Sequence, residues 1–274
     1  GLGVYRLARS AAPTATRTAA AAWPTPPAAP SAAATRADPS RARLFLPYAA
    51  RQALGSRAPA ALELTYAALG PTYGVAVGAG VVYHGHGGSV AAIALEGEPI
   101  EVGRTPGLAG LVHDLAVDGE LLFAAAGNAG LAAFSLADPR RPTLVGMAAT
   151  GDTARGVAVA GGLAYVAAGD AGLEVFDVAD PARPRRIGSA PVAGRARRVW
   201  LERGHAFVAN LDDGPIAVYD LSSPAQPRRV AQLGEDHVGG WALAVHGDHA
   251  YVASCANCLA IIDIADPSAP ALDD

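Results

Sequence analysis

The chain has 274 residues, half of them apolar, with a formal net charge of −4. That length allows one large domain or two small ones, and the apolar share supports a sizeable core. The charge balance excludes the basic signature of a nucleic-acid binder, and no run of 18 apolar residues is present to span a bilayer.

The chain opens at Gly1 rather than at a methionine, and no signal peptide is visible. Ser10 to Ser40 are almost all Ala, Pro, Thr and Ser with scattered Arg. Such a segment buries too little apolar surface to offset its ordering entropy. Residues 1–42 therefore read as a linker or stalk, a composition that suits an exported or cell-surface protein. All 21 basic residues are arginine, which points to coding bias, so isolated Ala or Arg positions carry little weight.

A repeat occupies residues 43–274, clearest from Tyr66 onward. Four-residue openings recur: GVAV at Gly74, DLAV at Asp114, GVAV at Gly156, RVWL at Arg198 and ALAV at Ala242. Their spacings are 40, 42, 42 and 44 residues. Each opening is followed by a glycine-bearing turn and then one aromatic: Tyr83, Phe123, Tyr165, Phe207 or Tyr251. A polar loop and an apolar stretch such as LEVFDV or IAVYDL come next. In four units an Asp-Pro or Ser-Pro turn then precedes a last short strand. Helical periodicity is absent. Four strands per unit of about 40–45 residues predict an all-β fold, a β-propeller of four-stranded blades. The blades are expected near 74–103, 114–147, 156–190, 198–233 and 242–264.

The wording GLEVFDVADPARP, Gly172 to Pro184, resembles the LVIVD repeat of bacterial and archaeal surface proteins. The resemblance runs from about Tyr66 to Pro270 and is good in units two to five. Unit one departs, since VAAIALEGEPIEVGR lacks the Asp and the Asp-Pro turn. The resemblance implies a surface-exposed propeller and no defined activity, so it supplies no catalytic residues.

The last unit ends in DPSAPALDD with its fourth strand missing or cut to a stub. Ala61 to Gly70 stands where a fourth strand without its own first three would be. Pairing of that strand with the last unit would remove two exposed edges and close a five-bladed ring. The rival is a truncated larger ring, with Arg43 to Tyr48 as part of a degenerate earlier blade.

Antiparallel order puts the loops between second and third strands, and the links between blades, at one end of the ring. The residues just before each opening are Tyr73, His113, Arg155, Arg197 and Trp241. In a propeller they would ring the channel mouth, with Asp114 and Arg198 next to them. They are candidate ligand-binding residues for a small anionic group; the structural alternative is a water-filled mouth of strand-end polar groups. Cys255 and Cys258 replace the glycines of other units at the ends of a four-residue loop, a separation that a disulfide can bridge. A metal pair is the other reading, but one C-x-x-C supplies two of about four zinc ligands. His84 and His86 lie in the corresponding loop of unit one. Asp177, Asp220 and Asp263 recur before the last turn of their units, where a carboxylate would cap turn N–H groups. The arginines from Arg183 to Arg203, including Arg185 and Arg186, read as a solvated rim.

No nucleophile elbow, phosphate loop or zinc-protease motif is present. The reading is a non-enzymatic exported or cell-surface scaffold, monomeric, without cofactor. Its partner would be an unidentified protein, glycan or small anionic ligand, not nucleic acid. The alternative is an enzyme acting on a small anionic substrate at the channel mouth.

Overall fold

Paired left-handed residues set the strand boundaries. At Ala79-Gly80, Gly161-Gly162 and Arg203-Gly204 both residues have φ between 47° and 75°. Two successive positive φ values are what a two-residue hairpin turn needs to match the twist of its strands. Proline-bearing turns follow the third strands. There Asp177, Asp220 and Asp263 accept the backbone N–H groups of Ala179, Ser222 and Ala265 at 3.1, 2.8 and 2.8 Å. The recurring aspartates are turn caps, as their position implies.

The computed structural model describes residues 73–96, 99–210, 216–233, 240–254 and 258–272. The expected linker 1–42, the closing strand Ala61 to Gly70 and Arg43 to Tyr48 lie outside the described residues. Those described form twenty strands in five four-stranded antiparallel sheets, with no helix among them. The first sheet is β1 (Val75–Gly78), β2 (Val81–His86), β3 (Ser89–Ala94) and β4 (Ile100–Arg104). The second is β5 (Asp114–Asp118), β6 (Leu121–Ala125), β7 (Leu131–Ser135) and β8 (Thr143–Ala148). The third is β9 (Gly156–Ala160), β10 (Leu163–Ala167), β11 (Leu173–Asp177) and β12 (Arg185–Ala190). The fourth is β13 (Ala196–Glu202), β14 (His205–Asn210), β15 (Ile216–Asp220) and β16 (Arg228–Leu233). The fifth is β17 (Gly240–His246), β18 (His249–Ser254), β19 (Cys258–Asp263) and β20 (Ala271–Leu272).

Strands pair in chain order within each sheet, and the first strands of successive sheets lie side by side. This is the arrangement of a β-propeller. In the first four sheets the third strand carries a bulge against the fourth, between Ala92 and Ile93, Ala133 and Phe134, Val175 and Phe176, Val218 and Tyr219. Each bulge adds local twist at the same place in the blade.

The core lies between sheets. Because side chains alternate faces along a strand, each sheet sends one set forward and one back. Tyr83 of the first sheet and Phe134 of the second share one cluster. Phe123 joins Phe176, and Tyr165 joins Tyr219, at the next two interfaces. Phe207 of the fourth sheet joins Ile262 of the fifth. Four of the five expected core aromatics are buried; Tyr251 of the fifth sheet is only half-buried. Burial pushes the hydroxyls of Tyr83 and Tyr219 up to about 12, and each donates to a backbone carbonyl, of Pro139 and Pro191. The last strand is the expected stub: β20 pairs only with Ile262 and Asp263 of β19.

Candidate functional site

The openings of the first strands meet at one point. Asp114, at the start of β5, is buried. Its Oδ1 accepts Arg198 Nη1 at 2.6 Å and its Oδ2 accepts the Val157 N–H at 3.2 Å. Arg198 Nη2 also donates to the Tyr73 carbonyl at 3.3 Å. One carboxylate and one guanidinium thus tie together groups from the first four units. Glycine makes the room. A Cβ on Gly74 would lie 2.6 Å from Asp114 Cα, and one on Gly156 would lie 2.8 Å from the Arg197 carbonyl oxygen. The order Gly, Asp, Gly, Arg at equivalent positions is therefore a packing solution. Burial raises the Asp114 carboxyl above its ordinary range, against the pull of Arg198 and the Val157 N–H.

The residues one position earlier form the mouth. His113 and Arg155 hold their backbones in register, donating to the carbonyls of Ala125 and Ala167 at 2.8 Å. Their side chains line a cavity of about 510 Å³ together with Leu108, Leu111, Asn128 and Thr153. Gly127 lines it too, and a Cβ there would lie 3.5 Å from the His113 ring. Gly127 also exchanges two backbone hydrogen bonds of 3.0 Å with Ala154, which fastens this loop to the link into the third sheet. Gly169 repeats the bridge with Ala196 at 3.2 and 2.9 Å. Thr153 Oγ1 donates to Asn128 Oδ1 at 3.2 Å.

Three arginines surround His113, with Asp114 on Arg198 and the charge of Asp152 acting on Arg155. His113 is held below its ordinary value by burial and by Arg155, Arg198 and Arg197 around it. Arg197 is itself lowered by burial and by Arg198 and Arg155. Arg155 Nε is buried and makes no hydrogen bond. Tyr73 is 53% exposed, and its ring packs against His113 at 5.5 Å between centroids, tilted by 47°.

Of the five sequence-derived candidates, His113 and Arg155 line one cavity, Tyr73 stacks on His113, and Arg197 adds to the local field. Trp241 is in β17, where its side chain is not described. Cys255 lies outside the described residues, and Cys258 begins β19 with its side chain undescribed. His84 and His86 belong to β2 rather than to the loop after it. Among the described residues no three metal-ligating side chains converge.

Sequence reasoning missed one buried pair. Glu174 is 1% exposed, receives the Arg186 guanidinium, and accepts the Gly151 N–H at 3.0 Å. Its trace in the sequence is a lone Glu where the equivalent positions are Ala132 and Ala217. Arg186 is thus a partner of the core, while Arg185 stays on the exposed rim beside Asp177.

The family model for the LVIVD repeat matches residues 151–190, 193–232 and 240–273. The chain carries three tandem LVIVD repeats over residues 151–273. The three matched segments contain the third, fourth and fifth sheets, and the first two sheets repeat their strand order. No curated protein matches the chain in sequence. Its backbone is similar to that of a functionally unknown protein from Desulfotomaculum acetoxidans DSM 771, with TM-score 0.64, 14% identity, and 76% of this chain and 71% of that one covered. It is also similar to a "putative 6-phosphogluconolactonase" from Bacteroides uniformis ATCC 8492, with TM-score 0.63, 15% identity, and 77% and 73% covered. The computationally designed Ika8 protein gives TM-score 0.57 at 12% identity, over 70% of this chain and 58% of that protein. The chain thus spans less than two thirds of the designed protein's length. At these identities the likeness is one of fold. No helix among the described residues is long and apolar enough to cross a membrane.

Proposed function

We propose that this protein is a non-enzymatic binding scaffold, exported or displayed at a cell surface, and that the mouth cavity takes the anionic group of its ligand. One observation carries the reading. Arg155 holds a buried, unpartnered Nε beside a cavity of about 510 Å³ that it lines with His113. Arg198, one register position away in the next unit, has Asp114 as a counter-charge. A buried donor without a partner is uncommon in a folded protein, and a guanidinium is well suited to carboxylate or sulfate. Leu108 and Leu111 offer an apolar wall to the organic part of such a ligand.

Two further features support export. The Ala/Pro/Thr-rich residues 1–42 suit a stalk, and Cys255 and Cys258 are spaced to form a local disulfide. The structural likeness to a protein named for lactonase activity concerns the fold and assigns no reaction to this chain.

A thermal-shift panel of small carboxylates, sulfate, acidic glycans and acidic peptides, each also assayed for turnover, tests the proposal. Stabilisation by anionic members without turnover is expected. Turnover of any member would replace the scaffold reading with an enzyme at the same mouth.

A further inference from the structure

The first sheet carries a second polar cluster, on the face turned away from the second sheet. Tyr83 of β2 packs into the core shared with the second sheet. A Cβ on Gly85 would lie 2.8 Å from the Val112 carbonyl oxygen on that same side. Alternation therefore sends His84 and His86 to the opposite face, across from Ala91 and Ser89 of β3. The equivalents of these two histidines in the second sheet are Ala124 and Ala126, both core residues.

The two imidazoles stand 6.2 Å apart between ring centroids, at 79° to each other. His84 is 5% exposed, and its Nδ1 lies 3.3 Å from the Gly85 carbonyl oxygen. A carbonyl only accepts, so Nδ1 carries the proton and Nε2 presents a bare lone pair. That Nε2 is buried and has no partner, and the same is true of Nδ1 of His86. Buried polar atoms are nearly always paired, so two orphans on neighbouring side chains of one face ask for a common partner.

We infer that His84 and His86 chelate one divalent transition-metal ion of the zinc class. The ring separation of 6.2 Å lies between the two limits for a shared metal and nearer the in-line one, so a tetrahedral site requires the rings to close by about 1 Å. A metal about 2.0–2.1 Å from an imidazole nitrogen lies about 3.2 Å from the ring centre. Two such rings have centres about 5.2 Å apart at a tetrahedral angle and about 6.4 Å apart when in line. The carbonyl on the second nitrogen of His84 is the contact that commonly orients a ligating imidazole. Glu101 is the carboxylate whose charge both imidazoles share, but Arg104 holds its two oxygens at 2.8 and 2.7 Å, so it is not assigned as a ligand. Imidazole donors favour zinc, copper or nickel over calcium and magnesium, which take oxygen ligands.

The test is calorimetric titration of zinc into the full chain, stripped with chelator and carrying no histidine tag, with calcium as the comparison ion. One zinc per chain is expected, with no calcium uptake. His86→Ala should weaken zinc at least about tenfold, and His84→Ala likewise. The Cys255→Ser, Cys258→Ser double variant and His249→Ala should bind as the parent does. His84 is the more buried of the two, so melting curves accompany every variant, and if His84→Ala fails to fold, His86→Ala decides alone. No zinc uptake by the parent, uptake kept by His86→Ala, or uptake lost in the cysteine variant or in His249→Ala would overturn the assignment.

Discussion

Arg155 and Arg198 come from nearly the same repeat register and end with different hydrogen-bond partners. Arg198 is paired directly with Asp114, whereas Arg155 feels the charge of Asp152 and keeps a buried Nε without a hydrogen-bond partner. The register of both was legible in the sequence, because the repeat aligns the strand openings. Which arginine would find the carboxylate was not, because that depends on the distance across the mouth and on Gly74 and Gly156 letting backbones approach. The same field sets a pH dependence. His113 is depressed by burial and by Arg155, Arg198 and Arg197, so the unfolded chain takes up this proton more readily than the folded one. Its contribution to stability is present above the ordinary histidine value of about 6.5 and is lost as pH falls through that value toward the folded one. An anion beside Arg155 would offset part of the repulsion and raise His113. An NMR titration of the His113 ring should therefore show a higher midpoint with sulfate present, and also in Arg155→Ala without sulfate. An unmoved midpoint in both would separate His113 from the arginine field.

The strands were legible because their boundaries are punctuated. Positive-φ turns and one aromatic per unit mark each blade in the sequence, aspartate caps mark the last three, and all recur in the structure. Face assignment followed from alternation, and Tyr83, Phe123, Tyr165 and Phe207 lie between sheets. Tyr251 is less covered than its equivalents, and the burial of Glu174 was hidden, since its acceptor role depends on Gly151 in a separate link. The difference between frame and tip is measurable in the third unit. Tyr165 is buried in the core between the third and fourth sheets, and Asp170 sits exposed at the loop tip. Tyr165→Ala should lose about 3–5 kcal/mol in denaturant unfolding, and Asp170→Ala less than about 0.5 kcal/mol. Small and equal losses would contradict the shared-core account.

At the scale of the molecule, interfaces between successive sheets form a series that must end somewhere. The last sheet closes with a two-residue strand, and an edge of that kind invites pairing with another strand. We propose that Ala61 to Gly70 supplies it, closing a five-bladed ring. Deletion of residues 1–42 should then leave a monomer of parental stability, while deletion through Gly70 should give dimers or aggregates by light scattering. A stable monomer from the longer deletion would refute that closure. The mouth was legible in the sequence as a set of positions, and the cavity itself was not, because its walls come from links and loop tips whose shape no repeat dictates. That the mouth is a binding site is the central claim, and calorimetric titration of sulfate and a small carboxylate into the whole chain tests it most directly. Saturable binding to the parent, retained in Arg185→Ala on the exposed rim and lost in Arg155→Ala and in the Arg155→Ala, Arg197→Ala double variant, is the predicted result. Equal binding in all four proteins, or none in the parent, would contradict it.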